Sequence, residues 1–142
     1  MRLPDVNVLV SAVHRQALHH AQARPWLESA FEGPEPVALA WTALIGFIRI
    51  STRRGIFEQP LPVEVALGVV DQWLQHPAAV VVAPGRRHAP LLSSLLLGAG
   101  TAGNLTTDAH LAAIAIEHGA ILASFDRDFQ RFAGLHFEQL GQ

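Results

Sequence analysis

Four aspartates stand where carboxylates do chemistry. Asp5 sits in the apolar run Leu3-Pro4-Asp5-Val6-Asn7-Val8-Leu9-Val10. An unpaired carboxylate among valines and leucines costs several kcal/mol to bury as an ion, so something must compensate it. A cation is one answer, and a turn capped by the aspartate is the other. Asp108 opens the stretch Asp108-Ala109-His110-Leu111-Ala112-Ala113, where an acid in the first helical turn also suits the helix dipole. Asp126 and Asp128 follow the apolar segment Ile121–Ser124 as an Asp-x-Asp pair. Each alone has an ordinary structural explanation, since Asp is a frequent cap and loop residue. Together they predict three separated segments converging on one edge of a sheet. Without a cation such carboxylates repel and raise one another's pKa. Mg²⁺ or Mn²⁺ prefers this all-oxygen ligand set. The metal set read here is Asp5, Asp108, Asp126 and Asp128, with the first three carrying catalysis.

Around them, Asn7 and Ser124 are placed to hydrogen-bond the carboxylates. Asn104, four residues before Asp108, either reaches the same site or serves the turn after Gly103. Arg49, Arg53 and Arg54, followed by Arg86 and Arg87, are the candidate phosphate contacts. His110 lies beside the site in sequence and is a weaker candidate to touch substrate. The eight histidines include no His-x-x-x-His pair, so a zinc site is not indicated. Trp26, Trp41 and Trp73 fall at apolar positions, which favours core or interface packing over base stacking. No Gly-x-Ser-x-Gly elbow, P-loop or Gly-x-Gly-x-x-Gly stretch is present, so serine hydrolase, nucleotide hydrolase and dinucleotide redox chemistry are unsupported.

The elements that must position these groups alternate between strand and helix. Leu3–Val10 reads as a strand. A helix follows, with Leu18, Ala21, Trp26, Leu27, Ala30 and Phe31 near helical spacing. Pro25 either starts part of it or kinks it. Val37–Ala40 is a buried strand, Thr42–Ile50 a helix and Gly55–Pro62 a loop. Val63–Gln75 is an amphipathic helix, Ala79–Ala83 a strand and Leu91–Gly98 a helix. Gly100–Gly103 is a flexible turn. Thr106 and Thr107 are expected to cap a helix running to His118, with Gly119 ending it. Ile121–Ser124 and His136–Leu140 complete the strands. That order predicts an α/β domain with a mostly parallel sheet and helices on both faces, spanning 1–142 as one unit.

Composition sets the bounds. Half of the 142 residues are hydrophobic, 15% are charged and the net charge is −2. RNA would therefore have to be held by a local basic patch rather than by overall charge. There is no cysteine, which excludes disulfides, thiolate-ligated zinc and thiol nucleophiles and fits a reducing cytoplasm. No secretory signal is visible. The longest apolar stretch, Val37–Phe47, is too short to span a membrane.

The resemblance is specific. Asp5-Val6-Asn7-Val8-Leu9-Val10, Thr107-Asp108-Ala109-His110-Leu111-Ala112-Ala113 and Asp126-Arg127-Asp128-Phe129 are similar to the successive motifs of PIN-domain toxins of the VapC family. Phe47-Ile48-Arg49-Ile50-Ser51-Thr52, within Trp41–Thr52, resembles one branch of that family. The resemblance implies a three-layer α/β/α PIN-like domain and a toxin of a VapBC toxin–antitoxin pair. It implies Mg²⁺- or Mn²⁺-dependent endonucleolytic RNA cleavage, a homodimer and inhibition by a cognate VapB antitoxin. The chain departs from the family at Gly46, where a glutamate is usual. Thr42, Gly46 and Arg49 share one helix face. The glycine serves either close helix packing or an altered metal shell completed by water. With that acid gone, the alternative function is a catalytically impaired module that binds RNA or a partner.

Overall fold

In the computed structural model, residues 1–141 are described. Five strands form one sheet: β1 (Arg2–Pro4), β2 (Val37–Ala40), β3 (Ala79–Val82), β4 (Ile121–Ser124) and β5 (Phe137–Gln139). Their order is β3-β2-β1-β4-β5, and every pairing is parallel. Six α-helices connect them: α1 (Val6–Val13), α2 (His20–Glu32), α3 (Trp41–Thr52), α4 (Val63–Gln75), α5 (His88–Ala99) and α6 (Thr106–His118). None is long and apolar enough to cross a membrane.

Alternation along the strands divides the core. Val37 and Leu39 of β2 pack with α1, α2, α3 and α4 on one side. Ala38 and Ala40 pack with α5 and α6 on the other. This is the period-2 geometry of a strand buried on both faces, and it gives the three layers expected from the sequence.

The first segment corrects that reading. β1 stops at Pro4, and Val6–Val13 is helical. Pro4 has no N–H to carry the ladder onward, and Asp5 then caps a helix. The β-branched Val-Asn-Val-Leu-Val run looks like a strand by propensity. In place, Val8 to Ala12 are buried consecutively, so tertiary packing overrides propensity.

Two further expectations change. Leu18 lies before α2 rather than on it and is 89% exposed. Thr106 and Thr107 do not cap α6. A short 3-10 turn, Gly103–Leu105, runs straight into the helix, so both threonines already lie in its first turn. Gly119 ends α6 in the left-handed conformation, with φ 66°, as glycine at that position readily does.

The far end of α6 is clasped. Glu117 accepts hydrogen bonds from the backbone N–H groups of Gly85 (2.7 Å) and Arg87 (3.0 Å) in the loop after β3. Those donors hold its carboxyl below the ordinary glutamate range. Arg87 returns a bond to the Glu117 carbonyl at 3.1 Å, so its guanidinium is engaged in structure.

Candidate active site

From β1 the chain runs outward to β2 and β3 on one side, then returns to β4 and β5 on the other. The order therefore reverses between β1 and β4. In open parallel sheets, ligand crevices lie at the carboxyl ends of the strands at such a reversal. Asp5 follows β1 directly, and Phe125 and Asp126 follow β4.

Ser124 joins the two ends. Its hydroxyl donates to Asp5 Oδ2 at 2.7 Å. It accepts from Asn7 Nδ2 at 3.0 Å and from the Asp126 N–H at 3.0 Å. Asn7 Oδ1 also accepts the Phe125 N–H at 3.3 Å. Asn7 thus acts on Asp5 through Ser124 rather than directly. Asp5 is buried, and its Oδ1 accepts the Val6 N–H at 2.7 Å. Asp5 caps α1, as one of its two readings expected, and it also faces a cavity.

That cavity measures about 500 Å³. Asp5, Asn7, Thr42, Arg49, Thr107 and Asp108 line its polar side. Val10, Leu18, His19, Ile50, Ile56 and Phe57 line much of the rest. The carboxylates repel across it. Burial raises the Asp5 pKa, partly offset by its bonds from Ser124 and Val6, and the Asp126 charge adds to the rise. Asp108 is pushed up to about 6, first by burial and then by the charges of Asp5, Asp126 and Asp128.

Asp126 also caps the 3-10 turn Arg127–Arg131, accepting the Asp128 N–H at 2.9 Å. Asp128 itself is exposed. Asn104 is exposed in the turn before α6 and does not line the cavity. Arg53 and Arg54 are exposed beyond the end of α3, and of the three candidate arginines Arg49 alone lines the cavity. His110 Nδ1 lies 2.9 Å from His88 Nε2, so these two nitrogens pair with each other instead. Trp73 packs edge-on against Phe47, and Trp26 donates to Glu138. Trp41 is 49% exposed.

Gly46 is resolved in favour of packing. A Cβ there would lie 2.7 Å from Val6 Cγ2 and 3.1 Å from Val6 Cγ1. Val6 also lines the cavity, so its isopropyl group fills the space a longer side chain at 46 would need. His19 was missed among the eight histidines, because nothing in its spacing marks it. It lines the cavity and stacks on Phe125.

A divalent ion fits these residues in a particular way. Among the described residues, no three His, Asp or Glu side chains are close enough to enclose an ion by themselves. Yet Asp5 and Asp108 open on one cavity and are both destabilised by neighbouring negative charge. Mg²⁺ commonly takes one or two carboxylates directly and keeps several waters, and this spacing suits that mode.

The raised values have a consequence for stability. Asp5 and Asp108 bind protons more tightly folded than unfolded. Their contribution is greatest below the ordinary carboxylate range and is lost as pH rises, through about 6 for Asp108. In EDTA, the melting temperature of wild type relative to Asp108→Asn should fall between pH 4 and pH 7, a window on the order of that shift. Saturating Mg²⁺ should reverse the fall by binding the folded state. Parallel melting curves for the two proteins across that range would reject the repulsion.

A PIN domain family model matches residues 2–135. Ribonuclease VapC37 of Mycobacterium tuberculosis is 45% identical over 98% of this chain and 96% of its own length. Ribonuclease VapC33 of the same organism is 39% identical over 95% and 94%. Among solved structures, VapBC2 from Rickettsia felis bound to a promoter DNA fragment superposes with a TM-score of 0.70 at 18% identity, covering 97% of both chains. Mycobacterium tuberculosis VapC20, described as a Sarcin-Ricin loop cleaving toxin, gives 0.70 at 16% identity over 96% of this chain and 99% of its own.

Proposed function

Because the chain belongs to the PIN domain family, we propose that it is the toxin of a VapBC-type toxin–antitoxin pair, an endoribonuclease that hydrolyses RNA phosphodiester bonds with Mg²⁺ or Mn²⁺. The observation that carries this reading is that Asp5 and Asp108, more than a hundred residues apart, open on one cavity and both feel the charge of Asp126. Asp5 and Asp108 would hold the ion, with Asp126 and Asp128 supplying charge beside it. A divalent ion there supplies Lewis-acid polarisation of the phosphate and acidifies water.

The chain's own residues do the rest. Ser124 fixes the Asp5 carboxylate by donating to Oδ2, leaving the cavity side to ligands. Arg49 presents a guanidinium fork, which suits phosphate oxygens in pairs. Thr42 and Thr107 add hydroxyls to the polar side. Arg53 and Arg54, on the exposed loop, act as more distant phosphate contacts.

We take the protein to work in the cytoplasm with a cognate VapB-type antitoxin covering the acidic edge. An antitoxin arginine could pair with the site carboxylates there. A homodimer would cover apolar surface that a lone chain leaves bare, including Leu97 at 79% exposure on α5.

The test is direct. Purified, antitoxin-free protein should cut RNA with Mg²⁺ or Mn²⁺, at concentrations on the order of millimolar, and should stop with EDTA. RNA binding without cleavage at any metal concentration would favour the impaired module, for which the closed space at Gly46 is the observation.

A further inference from the structure

We propose that the His19 imidazole, held flat on Phe125, is the stacking surface for an unpaired nucleobase beside the phosphate that is cut. The inference rests on the ribonuclease reading and deepens it, because it says how the substrate strand is seated.

The cavity has two kinds of lining residue. Asp5, Asp108, Arg49 and hydroxyls match a phosphodiester. Leu18, Ile50, Ile56 and Phe57 do not. A sugar-phosphate backbone has little apolar surface to lay against such side chains. The part of an RNA chain that has it is the base, through its two π faces.

His19 lines the same cavity. It occupies the residue before α2, where Ser, Thr, Asn or Asp would cap the helix. Its side chain makes no capping bond. Instead the ring lies parallel to Phe125, with centroids 4.2 Å apart and planes 6° apart.

Phe125 is set by the acidic centre itself. It lies between Ser124, which donates to Asp5, and Asp126, and its own N–H donates to Asn7. The stack is therefore in fixed register with the carboxylates. One imidazole face is spent on Phe125, and the ring also lines the cavity. Leu18, 89% exposed, and Ile56, 46% exposed, are bare apolar residues of the same lining. A base splayed out of its helix can lie against them and stack on the imidazole. A base stacked within a duplex cannot.

The experiment uses an RNA oligonucleotide that wild type cuts at one phosphate. An abasic riboside replaces the nucleotide on either side of that phosphate in turn. On one side, loss of the base should lower kcat/KM by about tenfold in wild type, the scale of base stacking on an aromatic side chain. His19→Ala should cut intact and abasic RNA equally. His19→Phe, which keeps the stack, should keep the discrimination. Because each variant is compared with itself on two RNAs, a partly unfolded preparation does not change the ratio. Equal cleavage of intact and abasic RNA by wild type overturns the proposal, as does full discrimination by His19→Ala. Failure of wild type to cut any RNA rejects the ribonuclease reading instead.

Discussion

Asp5→Asn, Asp108→Asn and Asp126→Asn should each lose RNA cleavage by about a hundredfold or more, the scale on which losing one positioned electrostatic group acts. Asp5→Asn should gain thermal stability in the same step. The asparagine keeps its oxygen for the Val6 N–H, and the Ser124 hydroxyl, now facing an amide NH2 that cannot accept, can donate to Asn7 Oδ1 at 3.3 Å instead. It removes a charge that burial and Asp126 both disfavour. Without metal, the wild-type fold therefore opposes the ionised form of Asp5. Melting curves in EDTA beside cleavage rates with Mg²⁺ read both effects. Wild-type cleavage by all three variants would remove these residues from the site. A lower melting temperature for Asp5→Asn would show that its ionised form stabilises the fold.

The second large effect is at Gly46. Adding one methyl group there drives it against the branched Val6 side chain, 2.7 Å away. Val6 is stiff about χ1 and cannot swing clear at little cost. Gly46→Ala should destabilise by about 1–3 kcal/mol, against the roughly 1 kcal/mol that alanine gains over glycine inside a helix. Combining it with Val6→Ala should recover most of the loss, because the pair are in contact and couple. The same logic governs Gly46→Glu. Alone it should damage the fold without tightening metal. With Val6→Ala it should add a further carboxylate and lower the metal concentration needed for cleavage. Chemical denaturation of the four alanine-series proteins decides the packing claim, which fails if Gly46→Ala is as stable as wild type.

Much of this was readable in the residues. Val63–Gln75 is bounded by Pro62 and carries a clear helical stripe, and it forms with those limits. Val37–Ala40 and Ile121–Ser124 are short apolar runs between polar or turn residues, and both are strands as read. Asp5 and Asp108 stood out because a carboxylate next to apolar sequence needs a reason. What was not readable depends on contacts distant in sequence. Val6–Val13 has strand-like composition and becomes a helix because of what packs around it. Asn104 and Asp108 are one helical turn apart, yet the 3-10 turn leaves Asn104 in solvent. Arg49, Arg53 and Arg54 form one basic cluster in sequence, but α3 ends between them and only Arg49 stays at the cavity. The His19–Phe125 stack joins residues on opposite sides of the chain's midpoint, and no local pattern encodes it.

The Ser124 junction also sets a time at which the site can exist. Asp5 and Asn7 find their partner 119 and 117 residues later in the chain. β1 pairs along its whole length with β4. Translation proceeds at about 5–20 residues per second, so Ser124 follows Asp5 by seconds to tens of seconds. A nascent chain therefore holds Asp5 and β1 without the strand that completes the crevice. The crevice between Asp5 and Asp126 can therefore close only on a chain that has been made through β4.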